Sequence, residues 1–350
     1  MVPSRRENPV TTLSEHLAAW SAAADDRQAV VDTVTTIAEA AAALAAVVGR
    51  GPLASDGDLT IRALEDGQKA LDLHANDFFI ARLRDAPVAA VASEEEPDIV
   101  VLRPDAPVVV AIDPLDGSNN IDINAPIGMV FSLLPASRSG RLERSFLVPG
   151  SEQLAAGFVL YGPHTVLALT LGDGVQVFTL DPAAGKFVMT RASVHITPGR
   201  REYAINASNA RHWPLAIRAY VEECLAGAEG PRGVDYNTRW LGAVVAEAYR
   251  ILVHGGIYLY PGDSRRGYGR GRLRTLYEAN PIAMLMEQAG GMATDGYDRI
   301  LDLVPSDIHE HVPLIFGSPD KVQRVMELYA ASVPQAGQRP LFAARGLFKS

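Results

Sequence analysis

The first half of the chain carries a series of short apolar runs, each closed by Pro, Gly or acidic residues. They cover residues 88–93, 99–102, 108–112, 127–134, 157–161, 165–171 and 174–180. Runs of this length, rich in Val and Ala and separated by turn residues, predict β-strands. Their close spacing is typical of a meander, so we expect a first sheet that is antiparallel or mixed.

Helical periodicity flanks these strands at the N-terminal side. Residues 25–50 place apolar side chains at three- and four-residue intervals, and residues 68–84 resume such a pattern. Both segments are predicted helices. The Gly-, Asp- and Ser-rich stretch at about 51–68 is predicted to be a mobile loop. The most apolar stretch, 40–48, is too short to cross a bilayer, so no membrane association is expected.

Beyond about residue 190 the pattern changes to alternating strands and helices. Strands are predicted at 203–206, 257–260 and 312–316, and helices at 213–225, 240–253 and 277–288. Such alternation predicts an α/β second half. The fold class is therefore α/β, a layered α+β sandwich of two domains. We expect an N-terminal domain over 1–195, a C-terminal domain over 196–335 and a tail over 336–350.

Charge and cysteine content exclude several classes of protein. The 350 residues carry a formal net charge of -9, which argues against a broadly basic nucleic-acid surface. The single cysteine, Cys224, permits neither an intramolecular disulfide nor a Cys-rich zinc site. A cytoplasmic protein that binds a small molecule fits this composition.

Acidic residues stand at the ends of several predicted elements, where a rigid scaffold can aim them into one cleft. They are Glu94, Glu95, Asp113, Asp116 and Glu278. Carboxylates without Cys or His favour Mg²⁺ or Mn²⁺, because hard cations prefer oxygen ligands. Taken singly, an acidic run is more often part of the solvated surface than a set of metal ligands. Asp-Gly-Ser at 116–118 is likewise an ordinary turn when it stands alone.

The longer string at 108–122, VVVAIDPLDGSNNID, closely resembles the signature of the class I fructose-1,6-bisphosphatase family. The resemblance continues with ASEE at 92–95, RILVHGGIYLYP at 250–261, LYEANP at 276–281, GGMAT at 290–294 and IFGSP at 315–319. The shorter core DPLDGS is shared with inositol monophosphatases. The flanking motifs favour the bisphosphatase branch.

The resemblance implies a metal centre of two or more Mg²⁺ ions, with Mn²⁺ as an alternative. Its ligands would be Glu94, Glu95, Asp113, the Leu115 carbonyl, Asp116 and Glu278. The reacting phosphate would lie beside Asp116, on the amides of Gly117 and Ser118. Asp66 and Asp72 would support catalysis, and Glu95 and Asp72 would manage the proton of the attacking water.

The resemblance also implies a second phosphate site on the far side of the sugar. Asn206, Tyr260 and Arg272 would line it, and Arg239 would reach it from a neighbouring subunit of a homotetramer. Arginine suits phosphate because its planar fork donates two parallel hydrogen bonds. Asn209 and Trp240 stand where the family commonly has tyrosine, and Arg272 where it commonly has lysine.

The expected reaction is hydrolysis of the 1-phosphate of fructose 1,6-bisphosphate, in gluconeogenesis or the Calvin cycle. The departures at the distal site leave sedoheptulose 1,7-bisphosphate open as a substrate. Two further alternatives are an inositol-phosphatase-like enzyme on the same metal core and a catalytically silent sugar-phosphate sensor. The arginines argue against the first, and the complete acidic set argues against the second.

Overall fold

A computed structural model describes residues 11–53, 68–138 and 140–332. The larger sheet is formed, in chain order, by β1 Val88–Ser93, β2 Val100–Val101, β3 Val108–Asp116, β4 Ile127–Pro135, β5 Ala155–Tyr161, β6 Thr165–Thr170, β7 Gln176–Asp181 and β8 Lys186–Arg191. Its spatial order is β2-β1-β3-β4-β5-β6-β7-β8. The β1–β3 pair is parallel and the others are antiparallel, so the expectation of a mixed, largely antiparallel first sheet is met.

The second sheet comes from the C-terminal half. Its strands are β9 Glu202–Ala204, β10 Asn237–Thr238, β11 Ile257–Tyr260, β13 Met292–Thr294 and β15 Leu314–Gly317, in the order β10-β9-β11-β15-β13. A separate ribbon pairs β12 Leu273–Arg274 with β14 His311–Val312. This sheet combines parallel and antiparallel pairs.

Helices cover both sheets. They are α1 Leu13–Ser21, α2 Gln28–Val48, α3 Gln68–Leu83, α4 Leu215–Leu225, α5 Val244–His254, α6 Asn280–Gln288 and α7 Pro319–Ser332. A π-helical turn, Thr275–Ala279, leads directly into α6. The predicted α/β layered fold is confirmed.

The buried side chains show how these layers stack. In β5, Val159 packs into a core with α1, α2 and α3, whereas its neighbour Phe158 packs into a second core with α5 and α6. That alternation follows from the two-residue period of a strand. The second core also reaches Phe316 of β15, while Ile315 faces a third core with α4 and α7. The order of layers is therefore helix, sheet, helix, sheet, helix.

Helix α2 is long and apolar enough to cross a membrane by length and composition. Half of its most apolar window is buried inside the protein. Val34, Ile37 and Leu44 lie in the first core, where they are almost completely shielded. Core packing therefore accounts for the apolar character of this helix.

Several elements differ from their sequence-based predictions. Helix α5 begins at Val244 and not at 240, and Gly242 before it has φ 79°, outside the range of a right-handed helix. Strand β8 was not predicted, because it is a largely exposed edge strand without an apolar run. Helices α1 and α7 were also missed, although Thr12 and Glu15 form a capping box at the start of α1. Of the predicted mobile loop, residues 54–67 lie outside the described part of the chain.

Candidate metal centre and phosphate pocket

A β-bulge places two of the predicted acidic residues on the same side of strand β3. Asp113 pairs with Val130 of β4 and Asp116 pairs with Gly128, so β3 contains one extra residue between these two pairs. In a regular strand, residues three apart face opposite sides of the sheet. The bulge restores a common side. Pro114, which has no N–H to donate, lies within the bulge.

Glu278 joins these two residues from the C-terminal half. It lies in the π-helical turn before α6 and is 5% exposed. Its Oε2 accepts the Arg274 backbone N–H at 2.6 Å. Carboxylate oxygens of Asp113, Asp116 and Glu278 lie within 4.8 Å of one another. The three residues form a buried cluster of like charge, which we call the acidic cluster.

The raised pKa values of the acidic cluster indicate that its charged form needs a positive partner. Burial raises the pKa of Asp113, and the nearby carboxylates of Glu94, Asp116 and Glu278 raise it further. Burial likewise raises the pKa of Glu278. The pKa of Asp116 rises to about 6, chiefly through burial. Since buried charges of one sign are unfavourable unless compensated, a divalent cation fits this donor set. All donors are oxygens, as hard cations prefer.

Glu94 stands beside the acidic cluster, and Glu95 extends toward solvent. Glu94 follows β1 and donates its N–H to the carbonyl of Ile112 at 3.1 Å, which fixes it next to β3. Its Oε1 lies 3.5 Å from Nε of Arg274. Burial raises the pKa of Glu94, against the opposing effect of Arg274. Glu95 is exposed.

The turn after the acidic cluster is shaped by glycine. Gly117 has φ 80°, and a Cβ on it would lie 2.5 Å from Cβ of Ala243. Both features exclude a larger residue. Ser118–Asn120 then forms a single 3₁₀ turn and not a longer helix. Leu115, whose carbonyl was predicted as a ligand, is buried and donates its N–H to Asp113 Oδ1 at 3.0 Å.

The N-terminus of α5 meets the acidic cluster, a contact that the sequence did not predict. Asp116 Oδ2 accepts the Val245 N–H at 2.9 Å. The N–H groups of Val245 and Val244 lower the pKa of Asp116 against the larger effect of burial. A carboxylate at a helix N-terminus is stabilised by the free N–H groups and the helix dipole. The contact joins the two halves of the chain.

A second pocket lies at the C-terminal end of β11. Its lining includes Asn206, Asn209, Tyr260, Arg265, Tyr268 and Arg272. The guanidinium carbons of Arg265 and Arg272 lie 4.5 Å and 5.2 Å from the centre of the Tyr268 ring. Arg265 also binds Asp263. Three predicted ligands of the distal phosphate, Asn206, Tyr260 and Arg272, therefore share one cationic pocket with Arg265 and Tyr268.

Arg239 lies apart from this pocket within the same chain. It is exposed, and its Nε is 3.5 Å from Oε1 of the buried Glu202. The neighbouring Trp240 stacks on Tyr258, with ring centres 5.8 Å apart. Asp66 lies outside the described residues. Asp72 falls within α3, but its side chain is outside the described part as well.

Comparison with known proteins identifies the family of this chain. Residues 24–192 match the sequence model "Fructose-1-6-bisphosphatase, N-terminal domain", and residues 196–330 match that of the C-terminal domain. "Fructose-1,6-bisphosphatase class 1" of Methylobacterium radiotolerans is 50% identical over 333 residues, which cover 91% of this chain and 95% of that protein. The Azorhizobium caulinodans protein of the same name is 50% identical over 325 residues, covering 91% of this chain and 99% of that protein.

A solved structure agrees with these sequence matches. The holo form of Leishmania major fructose-1,6-bisphosphatase superposes with a TM-score of 0.82 at 28% identity, covering 92% of this chain and 100% of that one. The sequence resemblance, the layered fold and the matched domains agree. The chain belongs to the class 1 fructose-1,6-bisphosphatase family.

Proposed function

We propose that this protein hydrolyses the 1-phosphate of fructose 1,6-bisphosphate to fructose 6-phosphate and phosphate. The observation that carries the proposal is the pairing of two sites of opposite charge, the acidic cluster and the cationic pocket of Arg265 and Arg272. A substrate with two phosphates can place one at each site. The relatives named for this activity support the same assignment.

Mg²⁺, or alternatively Mn²⁺, is the proposed cofactor, with two or more ions per site. Asp113, Asp116, Glu278, Glu94 and Glu95 would hold the ions, together with the carbonyl of Leu115. Bound there, the metal supplies charge neutralisation of the phosphate and activation of water. The oxygen-only donors and the raised pKa values of the acidic cluster support this role.

The residues of the chain itself contribute orientation and proton transfer. The backbone amides of Gly117 and Ser118 would bind the reacting phosphate, because the positive φ of Gly117 turns the chain sharply beside Asp116. Glu95 and Asp72 would manage the proton of the attacking water, and Asp66 would support catalysis. Donors fixed before the reaction stabilise developing charge without further rearrangement.

The distal phosphate would bind Asn206, Tyr260 and Arg272 in the cationic pocket, with Arg239 supplied by a neighbouring subunit. The exposure of Arg239 supports this arrangement, since its guanidinium is available to a second chain. The protein would be a homotetramer in the cytoplasm. Its two domains would cover 1–195 and 196–335, followed by a tail over 336–350.

A panel of substrates tests the assignment. Phosphate release is measured with Mg²⁺ and with Mn²⁺ from fructose 1,6-bisphosphate, sedoheptulose 1,7-bisphosphate, fructose 1-phosphate and inositol 1-phosphate. We expect the highest kcat/KM for a ketose bisphosphate, because only these compounds fill both sites. A higher kcat/KM for inositol 1-phosphate would contradict the proposal. A lack of release from every compound would favour the sensor alternative.

A further inference from the structure

A buried ion network joins Glu202 of β9 to Arg250 and Glu247 of α5. Glu202 and Glu247 are 2% and 0% exposed. Glu202 lies 2.6 Å from Arg200 and 3.2 Å from Arg250, and Arg250 Nε donates to Glu247 Oε2 at 3.0 Å. A carboxylate that has lost its water requires such partners. The network therefore fixes the carboxylate of Glu247 in one orientation.

The other oxygen of Glu247 holds a segment next to the acidic cluster. Its Oε1 accepts the backbone N–H of Leu241 at 2.7 Å. The carbonyl of the same Leu241 accepts a hydrogen bond from Nδ2 of Asn120 at 3.0 Å. Leu241 is thus held on one side by Glu247 and on the other by the turn that follows Gly117. We call residues 239–243 the bridging segment.

The bridging segment contacts the site at two further points. Ala243 lies so close to Gly117 that no side chain fits between them. Directly after the segment, Val245 donates its N–H to Asp116 at 2.9 Å. A shift of the bridging segment would therefore move both the turn at Gly117 and the N-terminus of α5, which orients Asp116. Misplacement of about 1 Å near a reacting centre can reduce a rate about 10²-fold.

We propose that Glu247 is a positioning residue of the active site. Its carboxylate binds Leu241 N–H and so holds the bridging segment against Asn120, Gly117 and Asp116. Arg250 and Glu202 keep that carboxylate in place. Glu247 is completely buried and is not one of the proposed metal or phosphate ligands, so its effect would reach the reaction through the bridging segment. The kinetic part of this inference rests on the proposed phosphatase activity.

The test compares Glu247→Ala with Glu247→Gln. Alanine removes both acceptors, whereas glutamine keeps one oxygen for Leu241 N–H and places its NH₂ where Oε2 accepts from Arg250. We expect Glu247→Ala to lower kcat about 10-fold or more at saturating metal and substrate. We expect Glu247→Gln to retain at least about a third of wild-type kcat, because the bond to Leu241 persists.

Glu223→Ala is the matched control for a loss of stability alone. Like Glu247, Glu223 is a shielded glutamate, but it lies on α4. Two arginines bind it, Arg232 at 3.0 Å and Arg324 at 2.6 Å. We expect its substitution to lower Tm while leaving kcat unchanged. If Glu223→Ala lowers kcat as much as Glu247→Ala does at equal loss of Tm, the positioning role is wrong.

Hydrogen exchange of peptides covering 239–245 gives a readout that does not depend on the reaction. We expect Glu247→Ala to speed exchange in this segment about 10-fold or more, with wild-type rates in Glu247→Gln and Glu223→Ala. Unchanged exchange in Glu247→Ala, or equal kcat losses in the alanine and glutamine variants, would overturn the proposal. An inactive wild-type protein would contradict the proposed function, and exchange would still test the positioning.

Discussion

The acidic cluster and the cationic pocket differ in burial and in charge balance. The acidic cluster of Asp113, Asp116 and Glu278 is buried and lacks a neutralising charge among the described residues, apart from Arg274 at its edge. The cationic pocket is partly open, and its Arg272 is exposed and stacks on Tyr268. A buried site with unbalanced charge needs its ligand for stability, whereas an exposed one does not. We therefore expect damage at the acidic cluster to abolish turnover and damage at the cationic pocket to weaken binding.

Asp116→Ala should produce the largest effect. It removes one proposed metal ligand and the acceptor for Val245 N–H, so we expect kcat to fall at least ~10²–10³-fold. Asp122→Ala is the control, because Asp122 is an exposed acid of the same stretch. Phosphate release at saturating Mg²⁺ measures both variants. A kcat near wild type for Asp116→Ala would refute the assigned metal centre.

Arg272→Ala tests whether damage at the cationic pocket weakens substrate binding without abolishing turnover. Loss of one charge-assisted hydrogen bond to phosphate corresponds to about 1.5–3 kcal/mol, so we expect kcat/KM for fructose 1,6-bisphosphate to fall roughly 10- to 100-fold. The change should lie mainly in KM. Arg270→Ala, which removes an exposed arginine paired with Glu310, should leave KM unchanged. Fructose 1-phosphate, which lacks the distal phosphate, should not distinguish Arg272→Ala from wild type.

Arg239→Ala tests whether the cationic pocket is completed by a second subunit. Arg239 is exposed and lies 3.5 Å from the buried Glu202, which keeps Arg200 and Arg250 as closer partners, so within one chain the substitution should have little effect. A contact across subunits instead predicts a rise in KM of about 10-fold. Arg200→Ala is the matched control, since Arg200 binds the same glutamate.

Mixed oligomers separate the two explanations of an Arg239 effect. Chains with Arg239→Ala and chains with Asp116→Ala are co-assembled, and native mass spectrometry confirms the mixture. Shared sites predict recovery of activity, because some sites then combine an intact metal centre with an intact arginine. Mixed oligomers without recovery would place Arg239 at the surface of its own subunit.

The pH dependence of metal stabilisation should give the smallest effect. Since the pKa of Asp116 is raised from an ordinary value near 4 to about 6 without metal, its contribution to stability is complete at low pH and is lost as pH rises through about 6. Metal binds the deprotonated form, so Mg²⁺ should raise Tm by a few degrees more at pH 7.5 than at pH 5.5. Thermal unfolding with and without EDTA measures this difference. Equal shifts at both pH values would contradict it.

The fold followed closely from local pattern, with failures where the pattern is weak. The apolar runs at 88–93 and 127–134 gave β1 and β4 because buried strands need continuous apolar residues. Strand β8 has few buried side chains, so no hydrophobic signal marked it. Helix α5 starts later than predicted because a positive φ at Gly242 interrupts the pattern.

The sequence by itself determined the type of chemistry. Oxygen donors without Cys or His favour a hard cation, and Asp116-Gly117-Ser118 favours a sharp turn, because both properties belong to the residues themselves. The family resemblance further brought Asn206, Tyr260 and Arg272 into one expected pocket, and the structure puts all three in its lining.

Only the tertiary structure decided which groups meet across the chain. The bulge that turns Asp113 and Asp116 to one side depends on pairing with β4. The bond from Val245 to Asp116 depends on how α5 packs against the first sheet. No local pattern encodes these contacts, because they form between segments far apart in sequence and are fixed by the packing of whole layers.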